Sequence, residues 1–371
     1  MIVPIILGFY VLVCVGVVLF NCWKAMSGVV LDRRFKARKL TCHAWFWQQI
    51  MPRVDLSPAE AEEFARTAAE KLRSHRRLMA FHGAMDELAQ SHPTQYAAAA
   101  PLLVRIVGRL YPFYVNRPDT LQAYYTYLVT HFHAMAYDPP EGLTAFLLEQ
   151  LRQQRSLYNV ENALRAVYSS RRVPLVLTAL ETLMGDSQLF IHQKLLVDGL
   201  LTFEDRDGLI TALWQRMDGF SAPMQRLLLD YIRFASGAWG EEVLALFEKT
   251  ADKETKIACL RYFGRYPAPR FRTPLYETAK TAGEGDWEIS AVCMTVLASY
   301  PEGETVALLK TGLCSRNWYV RYNAALSLRA LRVDIAQVKD ILHGDDRYAR
   351  EMLRYRLELP TEQQEKEVAA V

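Results

Sequence analysis

The chain has 371 residues, of which 51% are hydrophobic and 23% are charged, and its formal net charge is +3. This composition fits a folded protein and excludes a disordered one, and the length allows two ordinary domains or one long solenoid. The nearly balanced charge does not indicate a general nucleic-acid-binding surface, so we expect no nucleic-acid partner.

An apolar segment opens the chain. Residues 2–20 carry no charge, and with Cys22 and Trp23 the segment reaches about 20 residues, enough for a helix to cross a hydrocarbon core of about 30 Å. A cleaved signal peptide is the alternative, but no Lys or Arg precedes the segment and the sequence after it is a poor cleavage site. A buried helix of a soluble domain would need apolar partners on every side. We therefore assign residues 1–23 to a transmembrane anchor.

Six basic residues, beginning with Lys24, follow the apolar segment, and none precedes it. Under the positive-inside rule this predicts a single-pass protein of the cell membrane, with its N-terminus outside and its C-terminal domain in the cytoplasm. The basic residues either contact anionic headgroups as well, each contributing on the order of 1 kcal/mol, or act only as the topology signal. The residues predicted to contact the membrane surface are Arg33, Arg34, Lys36, Arg38 and Lys39.

Residues 24–56 form a basic and aromatic juxtamembrane segment. Trp45, Phe46 and Trp47 are adjacent and would face different sides of a helix. They could lie in the membrane interface or cap the first helices of the following domain, and the two interpretations are compatible.

Residues 57–156 predict a helical region without a clear repeat. Ser57-Pro58-Ala59-Glu60 combines an N-cap, a proline and a glutamate in the order of a helix start, and predicts a helix that runs to about Ala89. Three further helices are predicted over residues 93–110, 119–136 and 141–154. This region is either a set of degenerate helix pairs or a helical cap on the domain that follows.

Residues 157–360 repeat themselves. An amphipathic helix is predicted over residues 315–331; residues 286–301 match it at a shift of 31, and residues 252–267 match residues 286–301 at a shift of 34. A first helix precedes each of these second helices, so the period predicts an all-α fold, an α-solenoid of stacked antiparallel helix pairs. The second helices are predicted to begin at Asp186, Asp218, Asp252, Asp286, Asn317 and Asp345.

Over about residues 157–359 the repeats resemble the HEAT family. The clearest copy is Asn317-Trp318-Tyr319-Val320-Arg321, followed by Asn323-Ala324-Ala325 and Leu328. HEAT repeats commonly carry an Asp in the turn and an Arg near the start of the second helix. Arg321 matches that Arg, whereas Ser290 and Lys256 occupy the equivalent earlier positions, so the polar ladder is incomplete. The resemblance implies the HEAT-like architecture and says little about activity, because solenoids host many unrelated functions.

Motifs for catalysis or metal binding are not found in the sequence. His131 and His133 would face away from each other on one helix and could not share a metal directly. His75 and His82 lie two turns apart, too far to hold one ion without other ligands. The acidic run 204–207 is interpreted as the cap of the next helix. The six cysteines form no C-x-x-C pair, and we expect free thiols in a reducing compartment. We expect no catalytic residue, metal or cofactor, and therefore no enzyme.

The features together predict a membrane-anchored cytoplasmic scaffold that binds a protein partner, which we expect to be an integral membrane protein. Bacterial HEAT proteins of this layout can accompany membrane glycosyltransferases of surface polysaccharide synthesis, and by analogy such an enzyme is a candidate partner. The outward residues of the second helices predicted to contact the partner are Tyr319, Tyr322, Arg329, Arg261 and Arg265.

Two other interpretations remain open at this point. An enzyme or a small-ligand-binding protein would use the concave groove of the solenoid, and predicts a polar pocket with convergent ionisable groups of shifted pKa. An exported protein would instead lose its apolar leader. Residues 361–371 are predicted to form a polar, frayed tail.

Overall fold

The structure is a computed structural model and describes residues 2–136, 138–185 and 193–358. Within these ranges the chain is helical and contains no strand, which confirms the predicted all-α class. Contacts within the chain separate it into two compact units, Met1–Ile191 (unit 1) and His192–Val371 (unit 2). Each unit buries its own set of aliphatic and aromatic side chains.

The first helix, α1 (Ile2–Trp45), extends well beyond the predicted anchor. It passes directly into a π-helical turn, Phe46–Ile50, and a 3₁₀ turn, Met51–Arg53. The apolar side chains from Phe9 to Leu31 are exposed, and none of the apolar window is buried. The structure therefore contains one N-terminal helix that is long and apolar enough to span a membrane, and the exposure of this helix is not that of a buried core helix.

Unit 1 continues after α1 with helices that pack in alternation. Their bounds are α2 (Pro58–Leu72), α3 (His75–Ser91), α4 (Pro93–Gly108), α5 (Asp119–His131), α6 (Glu141–Gln153), α7 (Leu157–Tyr168) and α8 (Val173–Gly185). α1 packs on α3, α2 on α4, α5 on α7, and α6 on both α7 and α8. Four pairs of helices two apart in the chain are thus neighbours in unit 1.

The prediction of one helix from Ser57 to about Ala89 is wrong. Ser57 does begin α2 with the predicted capping box, since its backbone N–H and its hydroxyl both donate to Glu60 Oε2, at 3.1 and 2.6 Å. However, α2 ends at Leu72, and Ser74 takes an extended conformation as the N-cap of α3. The break lets α2 pack on α4 while α3 packs on α1.

Unit 2 contains the repeated part of the sequence. Its helices are α9 (Gln193–Leu200), α10 (Arg206–Trp214), α11 (Ala222–Ala235), α12 (Gly240–Lys249), α13 (Lys253–Arg265), α14 (Pro269–Thr281), α15 (Trp287–Leu297), α16 (Thr305–Leu313), α17 (Trp318–Ala330), α18 (Lys339–Leu342) and α19 (Arg347–Arg356). From α10 onward, each even-numbered helix packs on the odd-numbered helix that follows it. Each odd-numbered helix from α9 packs on the next odd-numbered helix.

Three of the predicted starts of second helices are confirmed. Asp252, Asp286 and Asn317 are the N-caps of α13, α15 and α17. α11 begins instead after Ser221, and α19 begins after Asp346 rather than Asp345. The Asp346 carboxylate accepts hydrogen bonds from Tyr348 N at 2.9 Å and Ala349 N at 3.1 Å, which explains the displaced start.

Of the other predicted starts, Asp218 lies in a 3₁₀ turn, where it pairs with Lys249 at 2.8 Å. Asp186 lies outside the described residues.

The fourth residue of several odd-numbered helices makes the same kind of hydrogen bond. Its side chain donates to a backbone carbonyl oxygen just before that helix, and so satisfies an acceptor in the turn between helices. The arrangement recurs in both units, at helices that follow different loops. The donors are Gln122 (to Val115, 2.7 Å), Gln225 (to Met217, 3.0 Å, and Phe220, 3.2 Å), Ser290 (to Ala282, 3.4 Å), Arg321 (to Ser315, 2.6 Å, and Arg316, 3.0 Å) and Arg350 (to Gly344, 2.6 Å).

A second contact recurs between neighbouring odd-numbered helices. In unit 2, the Asn323 side-chain amide at the sixth position of α17 donates to the carbonyl oxygen of Ala291, the fifth residue of α15, at 2.9 Å. In unit 1, Asn162 at the sixth position of α7 donates to Ala123 O, at the fifth position of α5, at 3.0 Å. The two units therefore stack these helices through the same pair of positions.

Candidate functional site

The part of α1 that follows the apolar segment is held on α3. Lys39 and His43, one turn apart, both contact the Glu87 carboxylate, with His43 Nε2 2.9 Å from Glu87 Oε2. The hydrogen bonds from Lys39 and then from His43 lower the pKa of Glu87, which stays ionised at neutral pH. The exposed apolar helix thus continues into unit 1 without an intervening loop.

The basic residues predicted to contact a membrane surface differ in their surroundings. Arg33 and Arg34 are exposed on α1, and Lys36 is exposed but pairs with Asp32 at 2.8 Å. Arg38 is half-buried. The Lys39 side chain is only 21% exposed and pairs with Glu87. Arg33 and Arg34 are therefore the most accessible to a surface.

Trp45, at the end of α1, and the adjacent Phe46 and Trp47 all pack within unit 1. Phe46 is fully buried, and the Trp45 ring lies 5.8 Å from the Phe81 ring. The Trp47 ring lies edge-on to His92 at 5.2 Å and stays 40% exposed. These contacts match the interpretation of the sequence in which the aromatic residues cap the first helices of the domain.

Unit 2 carries an exposed cluster that we call the aromatic–arginine surface: Trp318, Tyr319, Tyr322, Tyr355 and Arg356. Trp318 stacks on Tyr322 at 4.7 Å, and the Arg356 guanidinium lies 4.0 Å above the Tyr322 ring. Trp318, Tyr319 and Tyr355 are 49%, 56% and 70% exposed. Rings fixed by stacking and by cation–π contact need little further ordering on binding, so this surface is suited to a macromolecular partner.

The structure brings together two of the five residues predicted to contact a partner. Tyr319 and Tyr322 both belong to the aromatic–arginine surface. Arg329 lies farther along α17, where it pairs with Glu358 at 2.6 Å, and Arg261 and Arg265 are exposed on α13.

The sequence interpretation missed Trp318, Tyr355 and Arg356 as part of that surface. The sequence did carry a signal for Trp318, because aromatic residues recur in the first two positions of α15, α17 and α19. Trp287 at the start of α15 also stacks on Tyr319, with ring centroids 5.5 Å apart.

A cleft of about 420 Å³ lies in unit 1 beside the start of α3. Its lining, as far as the described residues form it, contains three arginines and no acidic residue: Arg73, Ser74, His75, Arg76, Tyr114, Arg117 and Leu121. The Tyr114 side chain is 1% exposed, and its hydroxyl has no hydrogen-bond partner among the described residues. Burial raises the pKa of Tyr114 to about 12, so the hydroxyl keeps its proton and can donate it. The cleft therefore presents cationic side chains that suit an anion.

Two histidines that the sequence interpretation considered separately meet in unit 1. His82 of α3 and His131 of α5 have ring centroids 4.8 Å apart, and the carboxylate of Asp86, also on α3, lies close to both rings. The pKa of His82 is lowered, because the effect of burial outweighs the opposite effect of the Asp86 charge. His75 instead packs edge-on to Tyr124 at 5.2 Å, and His133 is exposed. The spacing of His82 and Asp86 places them on one face of α3, but the sequence gives no sign that His131 joins them.

The acidic run caps a helix, and three of the six cysteines are buried. Asp205 caps α10 by accepting a hydrogen bond from Gly208 N at 3.0 Å, which confirms the interpretation of residues 204–207 as a cap. The six cysteines all lie in the described ranges, and each is a free thiol. Cys259 and Cys293 are fully buried at equivalent positions of α13 and α15, and burial raises both pKa values to about 12.

No protein-family model matches the chain, and comparisons with curated proteins and with solved structures give no match. The exposed helix, the aromatic–arginine surface and the cleft are the features that bear on its function.

Proposed function

We propose that the protein is a non-catalytic scaffold, anchored in the cell membrane by α1 with its N-terminus outside, and that its cytoplasmic helices bind an integral membrane protein. The exposed apolar face of α1 is the observation that carries the proposal, because a helix with such a surface needs a lipid or protein environment. The basic residues after the apolar segment favour the inward orientation of the domain.

Recurrent contacts support HEAT-like repeats as the architecture of the scaffold. Odd-numbered helices pack on one another in unit 2, and the fourth-position donors and sixth-position asparagines recur in both units. Arg350 repeats the bond of Arg321 one helix pair later, so an arginine at the fourth position recurs in two successive pairs. The recurrence in unit 1 favours degenerate helix pairs over a simple cap for residues 57–156.

The aromatic–arginine surface supports protein binding. Trp, Tyr and Arg are the residue types that dominate binding energy at protein interfaces. Here Trp318, Tyr319 and Tyr355 are exposed, and Tyr322 and Arg356 are half-buried and in contact with each other. The proposed partner class is an integral membrane protein, because α1 would hold the domain beside the bilayer. A membrane glycosyltransferase of surface polysaccharide synthesis is one member of that class, supported by the analogy of layout alone.

Co-purification from solubilised membranes tests this proposal. The wild-type chain, tagged at its C-terminus, should recover a stoichiometric integral membrane protein, and Trp318→Ala/Tyr319→Ala should lose it while keeping the helical circular dichroism spectrum. Tyr158→Ala in unit 1 is the matched control, because Tyr158 is 75% exposed and lies outside the surface. Recovery of the wild-type chain alone, or equal recovery by the double variant, would contradict the proposal.

The basic cleft favours a second candidate function, the binding of a small anionic ligand. Arg73, Arg76 and Arg117 supply positive charge beside the first turn of α3, whose N–H groups also attract anions. Titration with inorganic phosphate and pyrophosphate should then show binding that Arg76→Ala/Arg117→Ala removes. Arg66→Ala, an exposed arginine on α2, should leave the binding intact. No pyrophosphate binding by the wild-type chain would dismiss this candidate.

A further inference from the structure

Three side chains from two helices of unit 1 converge on one point. Asp86 Oδ2 lies 3.2 Å from His82 Nε2, and Asp86 Oδ1 lies 2.9 Å from His131 Nε2. One ligand atom from each of the three residues lies within 4.8 Å of the other two. His82 and Asp86 are four residues apart on α3, and His131 is the last residue of α5.

The two ring nitrogens of His82 have different surroundings. Nδ1 lies 3.1 Å from the Tyr124 hydroxyl oxygen, a distance at which an Nδ1–H can donate. Nε2 is buried and has no hydrogen bond of acceptable geometry among the described residues. With the proton on Nδ1, Nε2 carries the lone pair, and this nitrogen lies 3.2 Å from Asp86 Oδ2. A hydrogen bond at the outer nitrogen is the usual arrangement of a metal-binding histidine.

Two imidazoles and one carboxylate are a ligand set of first-row divalent metals. Tetrahedral zinc with ligands at about 2.0–2.1 Å separates neighbouring ligand atoms by about 3.3 Å. The separations of His82 Nε2 and His131 Nε2 from the Asp86 oxygens, 3.2 and 2.9 Å, are both somewhat shorter than this value, so binding requires shifts of a few tenths of an ångström for those pairs. The side chains of Asp86 and His131 are 40% and 30% exposed, so the remaining coordination positions would face solvent.

We propose that His82, Asp86 and His131 bind one divalent metal ion of the zinc class. The ion joins α3 to α5, which also meet here through the contact of His82 with the Tyr124 hydroxyl and through ring contacts such as Phe81 on Phe132 at 5.9 Å. Water or an external ligand completes the coordination on the solvent side. The site is independent of the aromatic–arginine surface and of the proposed scaffold function.

Metal titration of the full chain in detergent tests the proposal, with a protein that carries no histidine tag and has been treated with a chelator. Zn²⁺ measured by calorimetry should bind at one equivalent and raise the melting temperature. Co²⁺ should give the intense visible absorption of a site with low coordination number. His82→Ala and His131→Ala should each weaken Zn²⁺ binding by at least about tenfold.

Two further variants make the result decisive. Asp86→Asn keeps the side-chain volume and can keep a hydrogen bond to His131, so it reports on metal binding even where a histidine variant fails to fold. It too should lose at least about tenfold in affinity. His133→Ala, two residues from His131 and exposed, should bind Zn²⁺ as the wild type does. The proposal is overturned if the wild-type chain does not bind Zn²⁺ at micromolar concentration, or if Asp86→Asn binds it with wild-type affinity.

Discussion

Asp252 accepts hydrogen bonds from both the backbone N–H and the hydroxyl of Thr255, at 2.8 and 2.7 Å. Arg226 on α11 adds a third contact to the same carboxylate at 3.3 Å. The side-chain and then the backbone hydrogen bond from Thr255 lower the pKa of Asp252. One carboxylate thus fixes the start of α13 and ties it to α11.

We expect Asp252→Ala to lower the free energy of unfolding by about 1 kcal/mol at neutral pH, which is the usual effect of removing an N-cap. The pKa of Asp252 is lower in the folded state than its ordinary value of 3.8. Its contribution is therefore complete above pH 3.8 and declines as the pH falls through the folded pKa. Urea unfolding of the full chain in detergent at neutral and acidic pH measures the difference between the wild type and the variant.

Asp286→Ala is the control for this prediction. Asp286 is the N-cap of α15, but its side chain makes no capping hydrogen bond, so its loss should cost less. An equal effect at Asp286, or a difference for Asp252→Ala that does not shrink in acid, would show that the capping bonds are not the cause.

Asn323→Ala removes one of the hydrogen bonds between α17 and α15 and leaves the Ala291 carbonyl without that donor. The expected loss in free energy of unfolding is about 1–2 kcal/mol. Asn162→Ala should have a comparable effect in unit 1, because Asn162 makes the equivalent bond to Ala123. Asn116→Ala, an exposed asparagine, should change the unfolding midpoint little. A much smaller effect at Asn162 than at Asn323 would argue against equivalent repeats in the two units.

The predictable part of the fold depended on local signals. Asp252 and Asn317 are N-caps as predicted, because a polar residue before an apolar period is a strong helix-start signal. The same signal misplaced the start of α19 by one residue, because Asp345 and Asp346 are adjacent and only Asp346 accepts the capping bonds. Within residues 57–89, the break lies at Ser74, and the uniform Ala, Glu and Arg composition around it concealed the end of α2.

The candidate sites were less predictable, because they depend on contacts between helices distant in sequence. His131 approaches His82 only because α5 lies beside α3 in unit 1. Arg356 approaches Tyr322 only because α19 packs on α17. Neither approach is encoded in the spacing of residues along one helix, so a single sequence without a structure does not reveal it.

Gln225→Ala tests the role of the fourth-position donors. Gln225 donates to Met217 O and Phe220 O in the turn before α11, and its loss should cost about 1 kcal/mol in free energy of unfolding. Lys256 occupies the fourth position of α13, where the described residues provide no such bond, so Lys256→Ala is the matched control and should cost less. Equal unfolding midpoints for the two variants would show that these side-chain donors do not stabilise the turns.

The cysteines already present in the chain allow a test of membrane orientation without introducing new ones. Cys314 is exposed on unit 2, whereas burial raises the pKa values of Cys259 and Cys293 to about 12 and keeps them protonated and unreactive until the chain unfolds.

If the domain is cytoplasmic, a membrane-impermeant maleimide should not modify Cys314 in intact cells and should modify it after the membrane is permeabilised. Burial and the nearby Asp346 and Asp340 also raise the pKa of the Cys314 thiol, so its thiolate fraction and rate of labelling should increase with pH across the mildly alkaline range. Cys314→Ser should abolish the additional modification that permeabilisation produces, which separates this thiol from Cys14 and Cys22 on α1. Modification of Cys314 in intact cells would place unit 2 outside and reverse the proposed orientation of α1.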